Sequence, residues 1–201
     1  MPAVGTAPRP LSSKGRQTRQ ALEDAARKLF AERGFHGTTL ADITSAAGKS
    51  PAAFYRYYTD KEDLLAALAD SFLDQARDEL SRPPIDGDYF VSAVSTYWKT
   101  FKPNIGIMIG VDQLAGTEPR FTLLRARFRR FGTDIVKSSV RRAQQQGSAA
   151  ELDADHIALA IALLFERFTS VSLAEGLSDE AAITALSTIW KKTLYGHLKE
   201  N

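Results

Sequence analysis

Residues 49 to 61, KSPAAFYRYYTDK, gather the groups in this chain best suited to meeting an extended anion. Arg56 and Lys61 are cations, and Tyr55 and Tyr57 carry hydroxyls. All four are donors to phosphate oxygens or to base edges in a DNA groove. Pro51, Ala52 and Ala53 have no hydrogen-bonding side chain. They let a backbone approach a surface closely and read only shape and thymine methyl groups. Arg56, with Lys49 second, is then the candidate for bidentate guanine recognition. The competing reading is a short helix pair whose aromatics only pack.

Other reactive arrangements are missing. The chain has no cysteine, which removes disulfides and thiolate chemistry. His36, His156 and His197 are scattered, and no glycine pattern suits a phosphate loop. The acidic run Asp153-Ala-Asp-His156 is explained by carboxylates favouring a helix start. No catalytic residue, cofactor or metal site is expected, and an enzyme is the disfavoured class.

The net charge of +2 singles out no partner, but its distribution is uneven. Residues 1–62 hold ten Lys and Arg against six Asp and Glu; the remainder holds sixteen against eighteen. A basic N-terminal third is a weak electrostatic hint of nucleic-acid contact there. The opening MPAVGTAPRPLSSKGR has no apolar core and is not a signal peptide. The longest apolar-leaning run, Ile105 to Val111, is far short of the ~20 residues that span a bilayer. A cytoplasmic protein without membrane contact is expected.

The elements that must position these groups read as helices throughout, so the expected class is all-α. Residues 1–15, rich in Pro, Gly, Ser and Ala, are expected to be a flexible basic arm. Leu22, Ala25, Ala26, Leu29 and Phe30 recur at helical spacing, and Gly34 is a C-cap. Thr39 with Asp42 resembles a capping box opening a short second helix that reaches Gly48. Ser50 caps a third helix, with Pro51 at its first position and its end near Tyr58. On that helix Phe54 and Tyr58 share a core face, while Ala52, Ala53, Tyr55 and Arg56 point outward. Thr59 with Glu62 forms a further capping box, Asp60 being an equal candidate. A longer helix follows, with Leu64, Leu68, Phe72 and Ala76 on one face, and Arg82-Pro-Pro stops it. Five more helices are expected: Tyr89 to Phe101, Asn104 to Leu114, Pro119 to Gln146, Asp153 to Glu175 and Asp179 to Leu198.

Two short helices around a glycine turn describe a helix-turn-helix. From Thr18 to Leu65, about a quarter of the chain, the sequence resembles the DNA-binding domain of the TetR (tetracycline repressor) family of bacterial transcription regulators. The resemblance rests on Leu29-Phe30 with Gly34-Phe35, Thr38-Thr39, Ile43, Ala47-Gly48, Phe54-Tyr55, and Lys61-Glu62 with Leu64. It implies that Thr39 binds phosphate and that Ser50, Pro51, Ala52, Ala53 and Arg56 face the groove. It further implies that Tyr55, Tyr57 and Lys61 hold the phosphate backbone. Lys49 and Ala52 depart from the family pattern; Lys49 is either solvated or a further phosphate contact. The implied organisation is a DNA-binding domain over 16–62 and an effector-binding and dimerisation domain over 63–201.

Within 63–201 the density of large apolar groups suggests a cavity for a small hydrophobic or aromatic effector. Its expected lining is Phe90, Val94, Tyr97, Trp98, Phe101, Met108, Phe121, Leu124, Phe128, Phe165 and Phe168. Arg125, Arg127, Arg129 and Arg130 are either acceptors for an acidic headgroup or a solvated face. The last two helices carry apolar stripes, and Ile161, Leu164, Phe168, Leu186, Ile189, Trp190 and Leu194 are the expected dimer contacts. A homodimer would hold two recognition helices about one DNA turn apart on a palindromic operator. A repressor released by its effector is the expected function; the alternative is a helical ligand-binding or protein-interaction module without operator recognition.

Overall fold

The computed structural model describes residues 12–80 and 88–196. Among them are nine α-helices, one 3-10 turn and no strand. They are α1 (Ser13–Arg33), α2 (Leu40–Ala46), α3 (Pro51–Phe54), α4 (Lys61–Leu80), α5 (Tyr89–Phe101), α6 (Ile105–Leu114), α7 (Pro119–Gln145), α8 (Ala154–Ala174) and α9 (Asp179–Tyr195). The 3-10 turn, Lys102–Asn104, links α5 to α6.

The first helices begin and end where side chains satisfy free backbone groups. Ser12 accepts from the Gly15 N–H, so α1 starts inside the stretch expected to be a flexible arm. Residues 1–11 of that arm lie outside the described residues, as do Arg82-Pro-Pro and Leu198. Gly34 closes α1 at φ +72°, a conformation that glycine adopts without strain. Thr39 and Asp42 form the full capping box of α2. Ser50 accepts from Ala53 N–H to open α3.

Two boundaries differ from the sequence expectation. Helix α2 ends at Ala46, and α3 is a single turn. Past Phe54 the chain tightens, with the Tyr57 N–H donating to the Phe54 carbonyl, so Arg56 and Tyr57 sit in a turn rather than in a helix. The start of α4 is held by Asp60, which accepts from the Asp63 N–H, while Asp63 accepts from Thr59. The cap at this helix start is therefore the Asp60 side chain, and the returning bond runs from the Thr59 N–H to Asp63; Glu62 takes no part in either bond.

Two large cores and a small third cluster around Phe72 and Phe101 hold the described residues together. Leu22, Phe30, Phe35, Ile43, Phe54 and Leu65 from the head are continuous with Ile107, Val111 and Phe121 from α6 and α7. The second core joins α5, α7, α8 and α9 around Trp98, Val140, Leu186 and Trp190. Packing therefore runs unbroken across residue 62. Helix α8 is long and apolar enough, by length and composition, to cross a bilayer. The shorter run at 105–111 is not the longest apolar segment, as the sequence reading had it. The apolarity of α8 is used inside the fold: Ala158, Ile161, Phe165 and Thr169 are buried, and Phe165 meets Tyr97 and Trp190.

Candidate nucleic-acid interface and effector cavity

The tip of the head is built from α2, the turn at Gly48 and α3. Gly48 sits at φ +61°, which lets the chain reverse within two residues. Phe54 is fully buried and packs on Tyr58 at 5.6 Å, which fixes the roll of α3. Tyr58 is locked in turn: its hydroxyl donates to Glu23 (2.5 Å), and Arg19 donates to the same carboxylate oxygen (2.7 Å). Burial and the neighbouring Glu23 push its phenol well above the usual range, so it stays protonated. With that face held inward, Ser50, Pro51, Ala52, Tyr55 and Arg56 are exposed, and Lys49, Ala53 and Tyr57 are half-buried. Tyr55 is 61% exposed, with its ring edge-on to Phe54.

Two expected phosphate ligands are already engaged. The Lys61 ammonium donates to the carbonyls of Phe35 (2.8 Å) and Thr38 (2.7 Å) and lies 4.1 Å from the centre of the Phe35 ring. It clamps the α1–α2 turn onto α4, and burial holds its pKa below the usual lysine range. Its role as a free backbone cation is therefore corrected to that of a clamp with one remaining donor. The Thr39 hydroxyl is likewise committed to Asp42, at 2.5 Å and 3.1 Å, although the residue is exposed.

Behind the head lies a cavity of about 920 Å³ between α4, α5, α7, α8 and α9. Tyr97, Phe101, Phe128 and Phe165 line it as expected, joined by Phe131, Ile135 and Trp190. The remaining expected residues do not. Phe90, Val94 and Trp98 lie on the opposite face of α5, in the core, and Phe168 packs at that core's edge. Phe121 and Leu124 belong to the head core, while Met108 lines a separate shallow groove beside Asp112. It is the more polar face of α5, including Ser92 and Thr96, that looks into the cavity. Sequence reasoning missed Glu166, one of two charges within the apolar run of α8, and a lone acid there was the available signal. Burial is the main reason its carboxyl is raised above the usual range, with Arg129 and Arg125 pulling it back.

A family model described as bacterial regulatory proteins, tetR family, matches residues 22–68. The head is therefore a TetR-family DNA-binding domain. A repressor named AcnR from Corynebacterium efficiens is 39% identical over 67 residues, 33% of each chain. The match thus spans a third of AcnR. A regulator named UidR from Escherichia coli K12 is 26% identical over 142 residues, 68% of this chain and 71% of UidR. The fold extends over nearly the whole length. A transcriptional regulator from Saccharomonospora viridis, solved in complex with choline, superposes with TM-score 0.72 at 18% identity, covering 91% of this chain and 97% of that one.

The residues expected from the sequence to form a dimer contact are placed differently by the fold. Leu186, Trp190, Leu194 and Ile161 are buried inside the subunit, and Leu164 and Phe168 are half-buried. Only Ile189 of the expected set is exposed, at 43%. Leu159 and Leu163, one turn apart on α8 and off the expected stripe, are exposed instead. The buried stripe was real; it faces the chain's own core.

Proposed function

We propose that this protein is a ligand-responsive transcriptional repressor that binds a palindromic operator as a homodimer and leaves it when a small hydrophobic or aromatic effector fills the cavity. The observation that carries the reading is the tip of the head. Phe54 and Tyr58 are buried, which turns Ser50, Pro51, Ala52, Tyr55 and Arg56 outward beside Gly48. A surface with no partner would carry Glu, Lys and Gln there. Arg56 is the base-reading side chain, and Tyr55 and Tyr57 hold phosphates on either side of it. Lys49 adds a phosphate contact, and the one free donor of Lys61 and the backbone around Thr39 complete the footprint.

The dimer would form through α8 and α9, using Leu159, Leu163 and Ile189. These are large apolar side chains left uncovered in a protein with filled cores. Coupling to the cavity would run through α5 and α6. The Asn104 side chain donates to the Thr100 carbonyl (2.8 Å) at the end of α5 and accepts from Arg27 of α1. A ligand that displaces Phe101 would therefore move the support of the head and favour a dimer whose two tips no longer match one DNA turn.

Fluorescence anisotropy on labelled duplex DNA tests the reading. The full chain should bind with log K falling linearly in log salt, as phosphate neutralisation requires. Absence of salt-dependent duplex binding would leave only the alternative, a helical ligand-binding module.

A further inference from the structure

The cationic side chains along α7 differ in what they meet. Arg120 pairs with Glu118 (3.4 Å) and Asp60 (3.7 Å), Arg125 with Asp112 (3.3 Å) and Arg127 with Asp70, and Arg142 lies 5.3 Å from the centre of the Tyr89 ring. Arg129 lines the cavity, and its Nε–H is buried with no hydrogen-bond partner among the described residues. A buried donor without an acceptor is unfavourable, and the penalty disappears when a ligand supplies one. The guanidinium cannot discharge itself by losing a proton.

Lys99, Arg142 and Glu79 are exposed members of the lining, so the charges at its depth are Arg129 and Glu166. They are unequal. Arg129 is permanently charged, whereas the burial of Glu166 disfavours its ionised form. The site therefore prefers an incoming anion over an incoming cation. Five rings, Tyr97, Phe101, Phe128, Phe131 and Phe165, stand in the remaining wall beside aliphatic and hydroxyl side chains, and they suit an aromatic ring stacked or edge-on.

We propose that the cavity takes an aromatic monocarboxylate, its ring among Tyr97, Phe101, Phe128, Phe131 and Phe165 and its carboxylate on Arg129. This rests on the reading of the cavity as the effector site. Arg129 is then the residue that selects the ligand's charge, and Glu166 sets the limit on how much anionic charge the site accepts.

Isothermal titration of the full chain with 4-phenylbutyrate, 4-phenylbutyramide, 4-phenylbutylamine and decanoate tests it. The aromatic acid should bind saturably and more tightly than the amide, the amine or decanoate. Arg129→Gln should weaken the acid about 10- to 100-fold, the loss of a charge-assisted hydrogen bond, and leave the amide nearly unchanged. Glu166→Gln should tighten the acid and weaken the amine, an opposite pair of shifts that a packing defect does not produce. Arg130→Gln, on the exposed side of α7, should change nothing.

Equal or tighter binding of the amide or amine overturns the proposal, as does an unchanged acid affinity in Arg129→Gln or no saturable acid binding at millimolar concentration. Decanoate matching the aromatic acid overturns the aromatic part. Should Arg129→Gln fail to fold, Glu166→Gln still decides: weaker acid binding in that variant contradicts the proposal. Duplex binding measured on the same samples keeps the two readings apart. A chain that binds DNA but prefers the amine loses only the carboxylate inference, and one that binds the acid but no DNA loses only the regulator.

Discussion

Arg56 and Lys61 stand five positions apart and both are cations, yet the fold gives them different work. Arg56 is exposed and free to meet a base edge. Its replacement by alanine is expected to flatten base preference at one or two positions per half-site while leaving the salt slope of DNA binding within about one unit. A base-preference profile identical to the parent's would contradict that assignment. Lys61 holds two backbone carbonyls, so Lys61→Gln is expected to act first on the head itself, lowering stability by on the order of 1 kcal/mol in thermal unfolding. Unchanged melting together with weaker DNA binding would return Lys61 to the role of a free phosphate ligand. The inward pair Phe54 and Tyr58 was legible because two residues four apart share one helical face. The clamp on Phe35 and Thr38 was not, because its partners lie 26 and 23 positions away and no local pattern encodes them.

Helix positions followed from caps and periodicity, while the face each helix presents to its neighbours did not. The stripe Phe90, Val94, Trp98 on α5 is the most apolar one available, and it went to the core, leaving the face with Ser92 and Thr96 for the cavity. Apolar density marks what must be buried; it does not separate a filled core from a hollow one. Gly106 of α6 is a second case. A Cβ there would stand 2.4–2.5 Å from the backbone of Phe30 and Ala31, so α6 and α1 touch main chain to main chain. Gly106→Ala is expected to destabilise the protein by about 1–3 kcal/mol, measured by denaturant unfolding, because backbone cannot yield as a flexible side chain can. A neutral effect would mean that α1 and α6 separate without penalty. The apolar face of α8 supports a third expectation. Leu163→Glu should convert a dimer to a monomer in light scattering while leaving helicity intact, since Leu163 is exposed within the subunit. A dimer that survives this substitution places the interface elsewhere.

At the scale of the whole molecule, one continuous core joins the head to α6 and α7, and the cavity shares Phe101 and Phe128 with the junction around Phe72. Filling the cavity and holding the DNA-facing tip are therefore mechanically connected in the proposed regulator. The family was legible from Thr18 to Leu65 because the head must satisfy caps, a glycine turn and a fixed recognition face within a few dozen residues. The larger helical part only has to enclose space, which many sequences do, and its site residues were correspondingly hard to name.

The most direct test of the central claim is selection of duplexes bound by the full chain from a random DNA pool, run in parallel with Arg56→Ala. Enrichment of a two-fold symmetric sequence, its half-sites about one helical turn apart and its specificity relaxed in the variant, is the predicted result. A pool that stays random, or an enriched sequence unchanged by loss of Arg56, would contradict the assignment of the Ser50–Tyr57 tip as the surface that reads DNA.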